Sequence, residues 1–159
     1  MIDPFLFRQL CGRFATGVTI VTASDREGLP VGMTINSFAS VSLNPPLISL
    51  AVDHVATMHP ALLGGTRFVV NILERHQESL SRRFASGLPD RFEGVGFTRN
   101  PEGDILLDGA LAQLQCEKIA EVASGDHTIF LARVVAGTAG EKGRPLLYYR
   151  GGYADIELP

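Results

Sequence analysis

Short segments rich in β-branched and apolar residues recur along this chain, and turn residues separate them. Residues 18–24 (VTIVTAS) alternate in the manner of a strand, the polar run DREGLP follows, and VGMT resumes at Val31, which is the pattern of a hairpin. Similar segments follow: LISLAV (47–52) after Asn44-Pro45-Pro46, RFVVNIL (67–73), 114–122, TIFLARVVAG (128–137), LLYY (146–149) and YADIEL (153–158). Six or more strands joined mostly by hairpins favour a mainly β fold, a small antiparallel barrel, over a sheet of βαβ units.

The sequence predicts only a few short helices. Asp3 stands directly before a proline, and this pair is a favourable helix start because the carboxylate caps the first turn and proline fits it. The predicted elements are a helix from Asp3 to about Phe14, a helix capped by Thr57 or His59 that runs through Leu63, a helix over 77–85, and a long loop over 87–109.

Length and charge restrict the class of protein. With 159 residues the chain can bury the core of one domain, and we expect residues 1–159 to form a single domain. Apolar residues make up 45% and charged residues 19% of the chain, as in globular proteins. The net charge is −3 and the basic residues are scattered, so no nucleic acid is expected as a partner, whereas a small anion needs only a few local donors.

The cysteines and the amino terminus bear on the compartment. Cys11 and Cys116 are too few and too far apart for a disulfide framework or a zinc site, and both are interpreted as buried thiols. The first residues carry an acid and lack a long apolar segment, so no secretory signal is expected. No run of about eighteen apolar residues occurs, which excludes a membrane span. A cytoplasmic location is therefore expected.

Several familiar site motifs are absent. The chain contains neither G-x-G-x-x-G after the first strand, nor a Walker lysine loop, nor a G-x-S-x-G elbow. His54 and His59 are five apart, off the spacing that places two ligands on one helical face, so no metal site is predicted. Arg82 and Arg83 are interpreted as a solvated helix face, and Tyr148, Tyr149 and Tyr153 as packing residues.

One strand-like segment, VGMTINSFASVSLNPPLISLAV (31–52), is unusually polar in its middle. A core strand is normally filled with β-branched and aromatic side chains. Either this is an ordinary half-exposed strand, or it presents a row of donors and acceptors to a flat ligand with polar edges. The polar residues concerned are Thr34, Asn36, Ser37, Ser40 and Ser42.

Two loops offer further polar groups. Gly125-Asp126-His127 lies between two strong strand segments; it is either a simple turn or a rim position from which the imidazole of His127 contacts a ligand. The segment 53–57 follows a strand and precedes a short helix. Its backbone N–H groups could receive an anion, or Thr57 could simply cap the helix.

Taken together, FATGVTIVTA, VGMTINSFASVSLNPPLISLAV, RFVVNIL, SGDHTIF and YYRGGY occur in this order over nearly the whole chain, and the combined pattern resembles the flavin reductase family. The resemblance implies an FMN-binding split β-barrel, antiparallel and Greek-key-like, with a few short helices. It also implies a homodimer that binds FMN or FAD in a groove between subunits. NADH or NADPH would reduce this flavin, which would then diffuse to a separate oxygenase component.

The resemblance also implies roles for individual residues. Thr34, Ile35, Asn36 and Ser37 would lie against the flavin ring, with Ser40 nearby. His127 would orient the nicotinamide, Tyr153 would belong to the same pocket, and Phe84, either of the same or of the second subunit, would lie near the flavin. The ribityl chain and phosphate would contact Asp53, His54, Val55, Ala56 and Thr57.

The sequence departs from the family pattern in the last of these segments. Val55 and Ala56 are apolar where serines or a basic residue are expected, which predicts weak phosphate binding and suits a flavin that diffuses away. Two alternatives stay open. One is an enzyme that holds FMN tightly and acts on its own substrate; the other is a non-catalytic binder of flavin or haem.

Overall fold

A computed structural model describes residues 1–156 and shows a mainly β protein with a few helices, as predicted. Its helices are α1 Pro4–Cys11, α2 His59–Gly64 and α3 Glu78–Ala85, the last preceded by a 3-10 turn at Arg75–Gln77. Its strands are β1 Thr16–Gly17, β2 Thr19–Ser24, β3 Pro30–Ile35, β4 Ala39–Leu43, β5 Pro46–Asp53, β6 Arg67–Ile72, β7 Phe97–Arg99, β8 Ile105–Leu107, β9 Ala112–Ser124, β10 His127–Ala139, β11 Leu147–Tyr149 and β12 Gly152–Ala154.

Seven strands form the main antiparallel sheet. Their order is β3-β2-β6-β9-β10-β5-β4. The two edge strands, β3 and β4, are consecutive in the chain and only residues 36–38 separate them. A connection this short cannot cross a flat sheet of seven strands spaced about 4.8 Å apart. The sheet therefore curls until its edges approach each other.

Two apolar clusters form the core. The larger one fills the curled sheet and includes Leu50, Phe68 and Phe130. The smaller one lies beneath α3, where Ile20 and Phe84 pack with other buried side chains. Because side chains of a strand alternate between the faces of a sheet, β10 buries Phe130 and leaves Ile129 exposed.

The first helix is shorter than predicted. It ends at Cys11 rather than near Phe14, and the N–H of Gly12 donates to the carbonyl of Arg8 at 2.9 Å. Asp3 caps the start as expected, accepting from two backbone N–H groups. Because α1 buries none of its residues in this chain, Cys11 is exposed, and its assignment as a buried thiol was wrong. Cys116 is buried, and burial raises the pKa of its thiol to about 12.

The start of α2 and the long loop also differ from the predictions. Met58 occupies the N-cap position of α2, and no side chain of the described residues caps this helix, so neither Thr57 nor His59 has the expected capping role. The segment 87–109 contains the β7–β8 hairpin. A long-range hydrogen bond helps to explain this hairpin: the backbone N–H of Leu107 donates to the side-chain oxygen Oδ1 of Asn71 at 3.0 Å. Local composition does not reveal this contact.

The chain closes with a small three-stranded sheet in the order β1-β11-β12. The last predicted strand extended to Leu158, whereas β12 ends at Ala154, and residues 157–159 lie outside the described part. In residues 1–156, none of the helices combines the length and the apolar character that crossing a membrane requires.

Candidate functional site

The end of β3 lines an open cleft with a volume of about 220 Å³. Four of the predicted site residues meet there, namely Thr34, Ile35, Asn36 and Tyr153. The remaining lining residues are Val18, Ala85 and Tyr148. Tyr148 was interpreted as a packing residue; its ring packs edge-on against Tyr153, with 5.5 Å between centroids. The cleft thus combines a polar strand end with aromatic walls.

The hydroxyl of Thr34 holds the strand to its neighbours. It donates to the carbonyl of Ser81 on α3 at 2.7 Å. The side chain of Ser81 is buried and shares a hydrogen bond of 2.7 Å with the phenol of Tyr153. A single chain of contacts therefore joins β3, α3 and β12 around the cleft, and Thr34 serves to shape the site.

Ser37 likewise serves the fold. Its hydroxyl donates to the carbonyl of Ala51 at 2.8 Å and accepts from the N–H of the same residue at 3.1 Å, so it ties the β3–β4 connection to β5. The side chain of Asn36 differs, because within residues 1–156 it makes no hydrogen bond while it is exposed and lines the cleft. Its amide is free to meet the polar edge of a ligand. Ser40 lies at an exposed position of β4, opposite Ile48.

His127 and the segment 53–57 form a second group. His127 is paired with Asp53 across β10 and β5, and its side chain is 41% exposed. Its Nδ1 lies 2.6 Å from the carboxylate of Asp126. The hydrogen bond from His127 lowers the pKa of Asp126 below its ordinary value. Since an ionised carboxylate only accepts hydrogen bonds, Nδ1 is the donor and Nε2 is left to face solvent or a ligand.

Most backbone N–H groups of the segment 53–57 already have acceptors. The N–H of His54 donates to the carbonyl of Asp126 at 3.0 Å, that of Val55 to the carboxylate of Asp53 at 3.0 Å, and that of Ala56 to the carbonyl of Asp53 at 3.1 Å. Three consecutive donors are thus used within the chain, and two carboxylates stand beside them. The segment is poorly prepared to receive a phosphate on its own.

Phe84 does not face the cleft. It is 1% exposed, and its ring packs against Phe92 with 4.9 Å between centroids. It also lies directly beneath β3, where a Cβ built on Gly32 would come within 2.9 Å of its ring. Phe84 therefore supports the strand that lines the cleft, and its place near the flavin stays a prediction.

These features define a class: a small, mainly β protein with an aromatic-walled cleft at the polar end of an edge strand and an exposed histidine at a hairpin tip. The family model described as "Flavin reductase like domain" matches residues 11–157. The chain belongs to this family, which confirms the resemblance found in the sequence motifs.

Individual relatives agree with this assignment. A flavin-dependent monooxygenase reductase subunit, HsaB of Rhodococcus jostii RHA1, is 40% identical over 98% of this chain and 80% of its own length. A flavin reductase of Pseudomonas putida is 38% identical over 96% of this chain and 89% of its own. Among solved structures, the NADH:FAD oxidoreductase SgcE6 of Streptomyces globisporus C-1027, in complex with NAD and FAD fragments, has a TM-score of 0.92 at 38% identity, covering 99% of this chain and 96% of that one.

Proposed function

We propose that this protein is a flavin reductase that transfers a hydride from NADH or NADPH to FMN or FAD. The observation that carries the proposal is the free amide of Asn36 at the polar end of β3, beside the aromatic cleft, in a chain whose relatives are named flavin reductases. A flavin ring is a flat apolar plate with a polar edge, so this combination suits it.

The residues present fit a flavin. Because β3 is an edge strand, every second residue leaves its backbone N–H and C=O unpaired on the outer side, and the Asn36 amide adds a donor and an acceptor. Thr34 and Ser37 fix the position of these groups through α3 and β5. When bound, the flavin supplies the hydride-accepting chemistry, and the protein's task is to hold both reactants in register.

His127 is proposed to orient the nicotinamide. Its ring orientation is set by the contact of Nδ1 with Asp126, which leaves Nε2 without a partner among the described residues. Hydride transfer needs no dedicated base, so positioning is the contribution expected of this residue. Its pairing with Asp53 places it at the end of the sheet where the segment 53–57 begins.

The complete site is proposed to form between two copies of a single-domain FMN-binding split barrel. The cleft volume of about 220 Å³ lies below the range of roughly 300 to 1,000 Å³ of most ligand pockets, which fits a site that one chain supplies only in part. On the outer face of the sheet, Val122 on β9 and Ile129 on β10 stand opposite each other and are exposed. An apolar pair on a sheet surface suits an interface between subunits.

The reduced flavin is proposed to leave for a separate oxygenase component in the cytoplasm. Relatives are named reductase subunits of flavin-dependent monooxygenases. The occupied N–H groups of segment 53–57 favour a modest grip on phosphate. We expect dissociation constants in the micromolar range for FMN and FAD. A fluorescence titration of the protein measures them, and values far below that range for both oxidised and reduced flavin would contradict a diffusible product.

The function is tested by measuring NADH and NADPH oxidation by the purified protein with FMN, FAD or riboflavin added. We expect steady oxidation that depends on added flavin and stops without it. This single experiment also gives the preferred flavin and nicotinamide. A protein that binds flavin without turnover would be the non-catalytic binder, and turnover only with a retained flavin and an organic substrate would indicate the tightly bound FMN enzyme.

A further inference from the structure

A second cleft lies between α1 and the turn that joins β11 to β12. Its volume is about 420 Å³, and its lining includes Arg8, Arg13 and Arg150 together with the aromatic ring of Phe5. Among the residues that the structure describes, no carboxylate belongs to this lining. A concave site of this size is within the range of small-molecule pockets, and three guanidinium groups give it a strongly positive character.

The cleft is built by close packing of two segments. The N–H of Arg150 donates to the carbonyl of Gly12 at 2.9 Å. A Cβ built on Gly12 would lie 3.2 Å from the carbonyl oxygen of Arg8 and 3.6 Å from the Cα of Arg150, so a side chain there would press on the turn. This approach places the end of α1 and the turn on either side of the cleft.

The backbone of Arg150 is in an unusual conformation. Its φ is 52°, the one positive value at a non-glycine residue within residues 1–156. The next two residues are glycines, which adopt this conformation at no steric cost. Arg150 thus adopts a conformation that costs a non-glycine residue free energy, although two glycines follow it directly. Such strained backbone positions are often found at functional sites.

The three arginines of this cleft differ from those arginines of the chain that pair with acidic side chains. Arg67, Arg75 and Arg82 pair with carboxylates. Within residues 1–156, the cleft arginines form no salt bridge. Guanidinium groups bind phosphate oxygens through two parallel hydrogen bonds, and Phe5 is 70% exposed beside them, as a ring that stacks on a nucleobase must be.

The cleft lined by Arg8, Arg13 and Arg150 (the arginine cleft) lies near the cleft at the end of β3 where the flavin is proposed to bind (the flavin cleft). A third cavity of about 310 Å³ lies between them. It shares Tyr148 and Tyr153 with the flavin cleft and Gly151 with the arginine cleft. The three cavities therefore adjoin one another through shared lining residues from the end of β3 to α1, and a ligand longer than a flavin ring could extend across them.

We propose that the arginine cleft binds the adenosine diphosphate part of a dinucleotide, with the arginines on the diphosphate and Phe5 against the adenine. Both FAD and NAD(P)H carry this group. The inference rests on the proposed function, because that function brings these dinucleotides to the site. The arginine cleft would also supply an anion site, which the segment 53–57 lacks because its N–H groups already have acceptors within the chain.

The test uses the full-length variants Arg8→Gln, Arg13→Gln and Arg150→Asn, the last because asparagine tolerates a positive φ. Arg26→Gln is the matched control, since Arg26 is an exposed arginine in the β2–β3 turn, outside all three cavities. KM values are measured for riboflavin, FMN and FAD with NADH, and for NADH with riboflavin. Phe5→Ala provides a variant that leaves the charge unchanged.

If the flavin supplies the group, KM for FAD rises by about tenfold, KM for FMN rises by less because FMN carries only one of the two phosphates, and KM for riboflavin matches the control. If the nicotinamide nucleotide supplies it, KM for NADH rises instead. The inference is overturned when neither KM moves beyond that of Arg26→Gln, or when KM for riboflavin rises equally, which indicates damage to the fold.

Calorimetric titration with ADP separates this inference from the proposed function, because it requires no turnover. We expect ADP to bind the unmodified protein and to bind the arginine variants about tenfold more weakly. If the protein binds ADP in this way but oxidises no NADH, the cleft assignment stands and the proposed function fails. If the protein oxidises NADH but does not bind ADP, the proposed function stands and the cleft assignment fails.

Discussion

At the scale of single residues, the orientation of His127 depends on its neighbour rather than on burial. The carboxylate of Asp126 lies 2.6 Å from Nδ1, while the side chain is 41% exposed. An exposed imidazole without such a partner would sample several rotamers. The pair therefore provides a ring that is fixed in direction yet accessible to a ligand.

We expect His127→Ala to raise KM for the nicotinamide and to slow hydride transfer by about five- to tenfold, because one orienting hydrogen bond is lost. Asp126→Asn should have a smaller effect, since the ring stays but is held less firmly. Stopped-flow absorbance follows hydride transfer directly, and steady-state kinetics gives KM. An alanine variant with both values unchanged would show that His127 has no such role.

The ion pair of Arg67 with Asp104 is the main buried charge interaction of the described residues. Arg67 donates to both carboxylate oxygens, at 2.9 and 2.7 Å, and the side chain of Asp104 is 1% exposed. Burial alone would raise the pKa of Asp104, but hydrogen bonds from Arg67 and Asn100 lower it below the ordinary value. Arg67 also pairs with Glu117, whose side chain is 46% exposed.

We expect Asp104→Asn to lower the free energy of unfolding by about 3 kcal/mol, because it leaves Arg67 without its buried partner. The matched variant Glu117→Gln should cost at most about 1 kcal/mol, since that pair is exposed. Urea denaturation of both variants at neutral pH gives the two values. Equal losses would show that burial does not distinguish the two carboxylates.

The same pair predicts a dependence of stability on pH. The folded pKa of Asp104 lies below its unfolded value of about 3.9, so its contribution is complete above that value and is lost as pH falls through the folded pKa. We expect the difference in unfolding free energy between the wild type and Asp104→Asn to shrink below about pH 4. Denaturation curves across acidic pH values measure it, and a constant difference would contradict the lowered pKa.

At the scale of elements, the contact between α3 and β3 determines how the flavin cleft is supported. Gly32 lets the ring of Phe84 approach the strand, and a Cβ at this position would lie 2.9 Å from that ring and 3.1 Å from the carbonyl oxygen of Val21. Phe84 is in turn held by Phe92. The strand that leads into Asn36 is therefore positioned from behind by a packed aromatic pair.

We expect Gly32→Ala to destabilise the protein by about 1 to 3 kcal/mol, as an extra methyl group does in a filled core, and to raise KM for flavin because β3 must shift. Gly17→Ala is the control: Gly17 also lies in a strand, and within residues 1–156 a Cβ added there would meet no atom closer than 4 Å. Thermal unfolding and flavin kinetics test both variants. If Gly32→Ala matched the control in stability, the close contact with Phe84 would be unimportant.

Sequence patterns predicted the elements that depend on local alternation and missed those that depend on distant partners. The β2–β3 hairpin and the polar end of β3 follow from residues that are adjacent in the chain. The β7–β8 hairpin could not be foreseen in a segment of turn residues, because its strand Ile105–Leu107 is held by Asn71, far away in sequence. The same reason hides the arginine cleft, whose walls come from opposite ends of the chain.

At the scale of the whole molecule, two exposed apolar side chains mark the outer face of the main sheet. Val122 and Ile129 stand opposite each other on β9 and β10. Ile129 is also the cross-strand partner of Ala51, the residue whose backbone binds Ser37. The apolar pair is thus linked through β5 to the connection that follows the polar end of β3. A second subunit packed on this face would lie close to the flavin cleft.

We expect Val122→Asp and Ile129→Asp to convert a dimer into a monomer and to weaken flavin binding in parallel, because a buried charge at the interface has no partner. Leu29→Asp is the matched control: Leu29 is equally apolar and exposed but lies in the β2–β3 turn, so this variant should stay dimeric. Light scattering after size-exclusion chromatography gives the mass, and titration gives the flavin affinity. A wild-type protein that is monomeric and fully active would contradict a shared site, whereas loss of mass and affinity together would tie flavin binding to the second copy of the chain.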